Sequence, residues 1–137
     1  MPTIKRVLET SLYVDQLERA ATFYERVFGF EKIQCDDRFC ALDISGQQVL
    51  LLFARGKATA PVSIPGGVIP PHDGQGQLHL AFTMEAAVED AWTQRLSDAN
   101  VAIESRVEWP RGGHSLYFRD PDHNLLELVS PGCWKIY

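Results

Sequence analysis

Apolar and polar positions along the chain change their period in a fixed order. Arg6–Val14 alternates as a strand does: Thr10, Leu12 and Val14 fall on one face, and Glu9, Ser11 and Tyr13 on the other. From Gln16 to Phe28 the period lengthens. Leu17, Ala20, Ala21, Tyr24, Val27 and Phe28 make one helical stripe, with Asp15 placed to cap its start and Gly29 to end it. Three strand segments follow, Phe30–Cys35, Phe39–Ile44 and Gln48–Ala54, the last two parted by a turn at Gly46.

The same order then returns. Gln77–Met84 reads as a strand. Ala86–Ala99 reads as a helix with Val88, Ala91, Trp92, Leu96 and Ala99 on one side, and Asn100 stands where Gly29 ended the first helix. Val101–Glu108, His114–Arg119 and Leu125–Ser130 complete a second βαβββ unit. The offset is 70 residues, as from Glu9 to His79 or from Leu12 to Phe82. The expected fold is α+β: two βαβββ modules, at about 5–54 and 77–131, forming a paired, cupped mixed sheet with helices on the outer face. A chain of 137 residues holds this as a single domain, 1–137. The connection, 55–76, carries Pro61, Pro65, Pro70 and Pro71 among five glycines. A loop of that length is a candidate lid over a cavity, the alternatives being an ordered connection or a dimer contact.

One residue breaks the pattern. In FRDPDHNLLELVS, residues 118–130, Glu127 interrupts an apolar run. A carboxylate among leucines is costly unless something pairs with it. Alternation puts the more apolar rows toward the helices and turns Glu9, His79 and Glu127 to the concave side. Two carboxylates and an imidazole converging there repel and lose solvation unless a cation joins them. Three protein ligands leave coordination positions open, as a catalytic metal requires. The donor set suits Mn²⁺, Fe²⁺, Ni²⁺ or Zn²⁺ and selects none of them. The bland alternative is a hydrogen-bonded strand histidine and two glutamates in salt bridges or at wet edges.

Composition narrows the field. An apolar fraction of 45% and a charged fraction of 23% are those of a soluble globular protein. A net charge of −5 with no Lys/Arg cluster speaks against a nucleic-acid partner. No apolar run approaches a membrane span, and no secretory signal follows Met1, so a cytoplasmic location is expected. Cys35, Cys40 and Cys133 are odd in number and lack a CxxC spacing, which reads as reduced thiols rather than a disulfide or zinc site.

LETSLYVDQLERAATFYERVFGF (8–30), QLHLAF (77–82) and SLYFRDPDHNLLELVSP (115–131) resemble the vicinal oxygen chelate superfamily, the group of glyoxalase I, fosfomycin-resistance thiol transferases, extradiol dioxygenases and bleomycin-resistance proteins. The resemblance spans nearly the whole chain. It implies metal ligands on the first, fifth and eighth strands, which here are Glu9, His79 and Glu127. It also implies a small substrate chelated through its oxygens, and a homodimer. Glu9 departs from the His or Gln usual at the first position. Glyoxalase I-like members add a fourth-strand ligand whose counterpart falls at about Leu51, which cannot serve; this points toward the thiol transferases and dioxygenases. Extradiol enzymes typically use two His and one Glu, against one His and two Glu here. Glu127 or Glu9 is the candidate base for proton abstraction, Glu127 foremost.

Other residues carry weaker expectations. His72 and Asp73 lie in the connection and are either candidates to close over the pocket or solvated residues. Trp109, Arg111 and His114 surround the Pro110–Gly113 turn, with Arg111 or His114 a candidate for binding an anionic substrate. Tyr117 is a candidate hydrogen-bond donor facing the cavity, and His123 an exposed turn residue. The rival to an enzyme is a metal-free, bleomycin-resistance-like binding protein. It would contact a cationic ligand through Glu9 and Glu127, with Phe39, Phe53, Trp109 and Tyr117 as walls. A member that keeps only the fold is a third reading.

Overall fold

The computed structural model describes every residue, Met1–Tyr137, and the chain divides into two compact units, Met1–Gln75 and Gly76–Tyr137. In the first, β1 (Glu9–Val14) leads to α1 (Leu17–Phe28), β2 (Glu31–Cys35), β3 (Phe39–Ile44) and β4 (Gln48–Ala54). The sheet order is β1-β4-β3-β2; β1 runs parallel to β4 and the other pairs are antiparallel. A parallel pair needs a crossover, and the chain from α1 to β3 supplies it. α1 packs over β3 and β4. Its stripe of Ala20, Ala21, Phe23, Tyr24 and Val27 is buried against Leu12, Val14, Leu42, Leu50 and Leu52, all at most 6% exposed. Each fully buried leucine contributes roughly 1.5–3 kcal/mol. Gly29 ends the helix with φ 74°, donating its N–H to Glu25 O.

The second unit repeats the plan with β7 (His79–Thr83), a 3₁₀ turn (Ala86–Val88), α2 (Glu89–Asp98), β8 (Ser105–Glu108), β9 (His114–Arg119) and β10 (Leu125–Val129). Its order, β7-β10-β9-β8, mirrors the first sheet, with β7 parallel to β10. Leu116, Phe118, Leu126 and Leu128 are its buried row. Asn100 takes the left-handed conformation, φ 57°, as expected. No helix is long and apolar enough to cross a membrane.

Several local expectations are corrected. The 55–76 connection is not featureless: β5 (Val62–Ile64) and β6 (Gly67–Ile69) form a hairpin around Pro65–Gly66. Proline and glycine there mark a hairpin turn rather than a structureless loop. Gln16, without a side-chain bond, is the N-cap of α1; Asp15 instead forms an ion pair with Arg55 beyond the end of β4. The second helix opens as a 3₁₀ turn, and its α-helical part begins only at Glu89. Cys35 and Cys40 are not free thiols. They stand opposite one another across β2 and β3, with Cα atoms 4.1 Å apart, and form a disulfide; Cys133 alone is free. Cysteine spacing in sequence did not reveal this cross-strand register.

Candidate functional site

The site of the second unit is built on the turn at 120–124. Asp120 Oδ1 accepts the N–H groups of Asp122 and Asn124, and its Oδ2 accepts from Asn124 Nδ2. Asn124 Oδ1 in turn accepts the N–H of Leu78, and Leu125 N–H donates to Leu78 O. These bonds fix β10 against β7 so that Leu125 pairs with His79 and Glu127 with Ala81. The polar face of the sheet follows from that register. Glu127 is buried, 5% exposed, although it is a carboxylate.

Three side chains account for it. Ser115 Oγ donates to Glu127 Oε1 at 2.5 Å, and Trp109 Nε1 donates to Ser115 Oγ at 2.7 Å. On the other oxygen, His79 Nε2 lies 3.2 Å from Glu127 Oε2. His79 Nδ1 is 2.8 Å from the carbonyl of Leu125. A carbonyl only accepts, so Nδ1 carries a proton. Nε2 therefore faces a carboxylate oxygen with its lone pair unless it binds a second proton. A proton or a metal cation relieves that opposition, and a backbone-oriented imidazole is the usual supporting arrangement of a metal-ligating histidine. Half of the His79 side chain is open to solvent. Within this unit no third His, Cys, Asp or Glu joins the pair.

Tyr117 lies directly across the ladder from Glu127, its ring 6.3 Å from that of His79. Burial, followed by the Glu127 charge, pushes its phenol up. The same two causes raise the free Cys133 thiol. Trp109, a candidate for the substrate, donates its indole N–H to Ser115. His114 is on the opposite face: it shares the helix side of β9 with Leu116 and Phe118, and its Nδ1 meets Glu89 of α2 at 2.8 Å. It therefore lies away from the Glu127 face. Arg111 is exposed in the turn and enters no part of this cluster, and His123 is exposed, φ 65°.

The matching face of the first unit is a cavity rather than a filled network. Its volume is ≈ 400 Å³. Rows across β1, β4 and β3 give its floor: Glu9–Val49–Asp43, then Ser11–Leu51–Ala41, then Tyr13–Phe53–Phe39. Glu9 is exposed at one end, while the aromatic row lies at the other. Leu51 occupies in β4 the place that Glu127 holds in β10, each two residues beyond the partner of Glu9 or His79. No carboxylate stands at the Leu51 position, as the sequence indicated.

His72 reaches this cavity from the connection. Its Nδ1 is 2.7 Å from the Tyr13 hydroxyl, and its ring meets Phe53 edge-on at 4.5 Å. Its backbone N–H is held by Ala58 O. Gly74 presses on the other side of the Tyr13 ring, where a Cβ would come within 2.4 Å of it. Asp73 Oδ1 only accepts the N–H of Gly74. Sequence reasoning missed Tyr13, Arg38 and Ser115. Tyr13 was legible, since it shares a face with Glu9; Ser115 needed the β9–β10 register, which no local pattern supplies.

A family model for the glyoxalase/bleomycin resistance protein/dioxygenase superfamily matches residues 4–128. A solved structure titled lactoylglutathione lyase from Agrobacterium tumefaciens is 31% identical, covers 98% of this chain and 99% of its own, and superposes with a TM-score of 0.88. Metallothiol transferase FosB of Shouchella clausii is 28% identical over 119 residues, 84% of this chain and 73% of that protein. Catechol-2,3-dioxygenase of Bacillus subtilis is 28% identical over 124 residues, 87% of this chain but 39% of that protein. With a model that spans most of its length and a relative of that identity, the chain belongs to the glyoxalase/bleomycin resistance protein/dioxygenase superfamily.

Proposed function

We propose that this protein is a metal-dependent enzyme of the superfamily, acting on a small substrate bound through its oxygens. The observation that carries the reading is the His79–Glu127 apposition. The imidazole is oriented by Leu125 O, and its free nitrogen faces a buried carboxylate oxygen at 3.2 Å. That pair, with Glu9 as a third ligand, is a donor set for one divalent ion, Mn, Fe, Ni or Zn. When bound, the ion polarises substrate oxygens and lowers the barrier to deprotonation, addition or oxygen insertion. The names of the relatives, a thiol transferase, a dioxygenase and a lyase, agree with a small-molecule substrate. We also propose that the two units work as one domain and that the protein acts as a homodimer.

The chain's own groups divide the remaining work. Ser115, itself anchored by Trp109, holds Glu127 Oε1 and fixes the carboxylate plane. Tyr117 places a phenol beside that carboxylate. Glu127, as the base, can take up a proton at Oε2, where it would face the His79 Nε2 lone pair; Glu9, being exposed, is the alternative. A Glu127→Gln change that leaves turnover intact would assign the proton to Glu9 instead.

The test is elemental analysis of protein purified without chelator or a metal-binding tag, beside a His79→Ala/Glu127→Ala double variant. About one divalent ion per chain, lost in the variant, is expected. No metal in the wild type and no uptake of Mn²⁺, Fe²⁺, Ni²⁺ or Zn²⁺ would overturn the enzyme reading. The aromatic cavity of the first unit would then favour a metal-free binding protein.

A further inference from the structure

The two ends of the first unit's cavity differ in charge and in chemistry. Glu9 and Tyr13 share a face of β1 four residues apart, so their rows are separated by about 13 Å at ordinary strand rise. The Glu9 row carries the carboxylates Glu9 and Asp43. The Tyr13 row carries three rings in register, Tyr13, Phe53 and Phe39, with centroids 6.1 and 5.8 Å apart. His72 closes that end.

Arg38 stands at the aromatic end. It is half-buried, lines the cavity, and its guanidinium carbon sits 5.2 Å from the centroid of the Phe39 ring. Asp36 is near enough to feel that charge, but its Oδ1 is occupied by the backbone N–H groups of Arg38 and Phe39 at 2.7 and 2.9 Å. The guanidinium thus rests on a ring rather than in an ion pair. An arginine placed over an aromatic face keeps its N–H edges for a planar, bidentate acceptor. The hydrogen bond to His72 Nδ1 occupies the Tyr13 hydroxyl, so that the Tyr13, Phe53 and Phe39 rings offer apolar surface to the cavity.

We propose that this end of the cavity is a subsite for a flat, unsaturated or aromatic group bearing an anionic substituent, a carboxylate in the simplest case. Arg38 anchors the anion, and the Tyr13–Phe53–Phe39 row receives the flat group. The proposal deepens the function given above by naming the substrate class. It rests on that reading only in taking the Glu9 end to face the reacting oxygens. A substrate of this class places its charge at Arg38 and keeps it about 13 Å from the Glu9 row. Repulsion by Glu9 and Asp43 then fixes which way round it lies.

The experiment uses three probes on the full-length protein: 2-naphthoate, its uncharged analogue 2-naphthamide, and the aliphatic anion cyclohexanecarboxylate. Binding is followed by calorimetry, with and without prior chelator treatment, for the wild type, Arg38→Gln, Arg38→Lys and Phe53→Leu. Naphthoate is expected to bind at least about tenfold more tightly than either analogue, the loss of one charge-assisted contact. Arg38→Gln should remove the preference for acid over amide, and Arg38→Lys should retain part of it. Phe53→Leu should remove the preference for the flat ring. Chelator treatment should leave these ratios in place, which separates this subsite from the metal centre. Equal binding of acid and amide, an unchanged ratio in Arg38→Gln, or no naphthoate binding in either state would overturn the proposal. Because Arg38 is a half-exposed turn residue, its variants are expected to fold, and Arg38→Lys serves as the check.

Discussion

The two units share a strand order and a register, yet they use their polar faces in opposite ways. In the first, the middle row is Ser11–Leu51–Ala41 and the face stays open as a cavity. In the second, the middle row is Ala81–Glu127–Tyr117 and the face is filled by the Trp109–Ser115–Glu127 hydrogen bonds and by His79 beside Glu127. The helices differ in the same sense. α1 buries five side chains, whereas α2 buries only Leu96 and is tied to its sheet by Glu89 bonds to His114 and Arg106. A duplicated plan thus carries an open apolar face in one copy and a hydrogen-bonded, charged cluster in the other. Binding and chemistry can then vary separately on one fold.

The contrast is most easily broken at Phe53, the centre of the aromatic row. Phe53→Ala should lower unfolding free energy by about 3–5 kcal/mol, read by urea denaturation, with metal binding by His79 and Glu127 retained. Second in size is Ser115→Ala, which leaves Trp109 Nε1–H and Glu127 Oε1 without their shared partner. A loss of about 2 kcal/mol is expected, together with metal affinity weakened about tenfold or more, measured by competition with a chelating dye. Leu51→Glu gives the first unit the residue that the second has at that place. Without the Ser115-like support it should cost about 1 kcal/mol, modest because Leu51 is half-buried. Unchanged stability would mean that the two faces are equally polar.

The smallest effect lies on the surface of the second unit. A hydrogen bond from Arg119 holds the Glu104 carboxyl below its usual value of 4.5. A depressed folded value makes its contribution present above the ordinary carboxylate range and lost as pH falls through the lowered one. Wild type and Glu104→Gln should therefore differ slightly at neutral pH and converge in acid, with the difference shrinking in salt. Melting temperatures across pH test it.

The repeat and both helices were legible because strand and helix periods are local. Glu9 shares its face with Ser11 and Tyr13, and Glu127 its face with Leu125 and Val129, as alternation required. What was not legible depended on partners distant in sequence. His114 was assigned to the site by nearness to the turn, whereas its parity within β9 sends it to Glu89. The bond from Trp109 to Ser115 was likewise hidden from the sequence. The Cys35–Cys40 bond needed the hairpin register, and Arg38 acquired meaning only once Phe39 was seen in line with Phe53 and Tyr13.

The turn at 120–124 has a consequence for which changes in length the chain tolerates. Asp120 and Asn124 lock β10 to Leu78 before the strand begins. One residue inserted between Asn124 and Glu127 would carry Glu127 to the helix side and bring a leucine onto the polar face, because side chains alternate with a period of two. The same insertion at Arg111, an exposed turn position, shifts no ligand. Insertions and deletions should therefore accumulate at the second place and be excluded from the first, so that the length of one short segment, as much as its residues, keeps Glu127 facing His79.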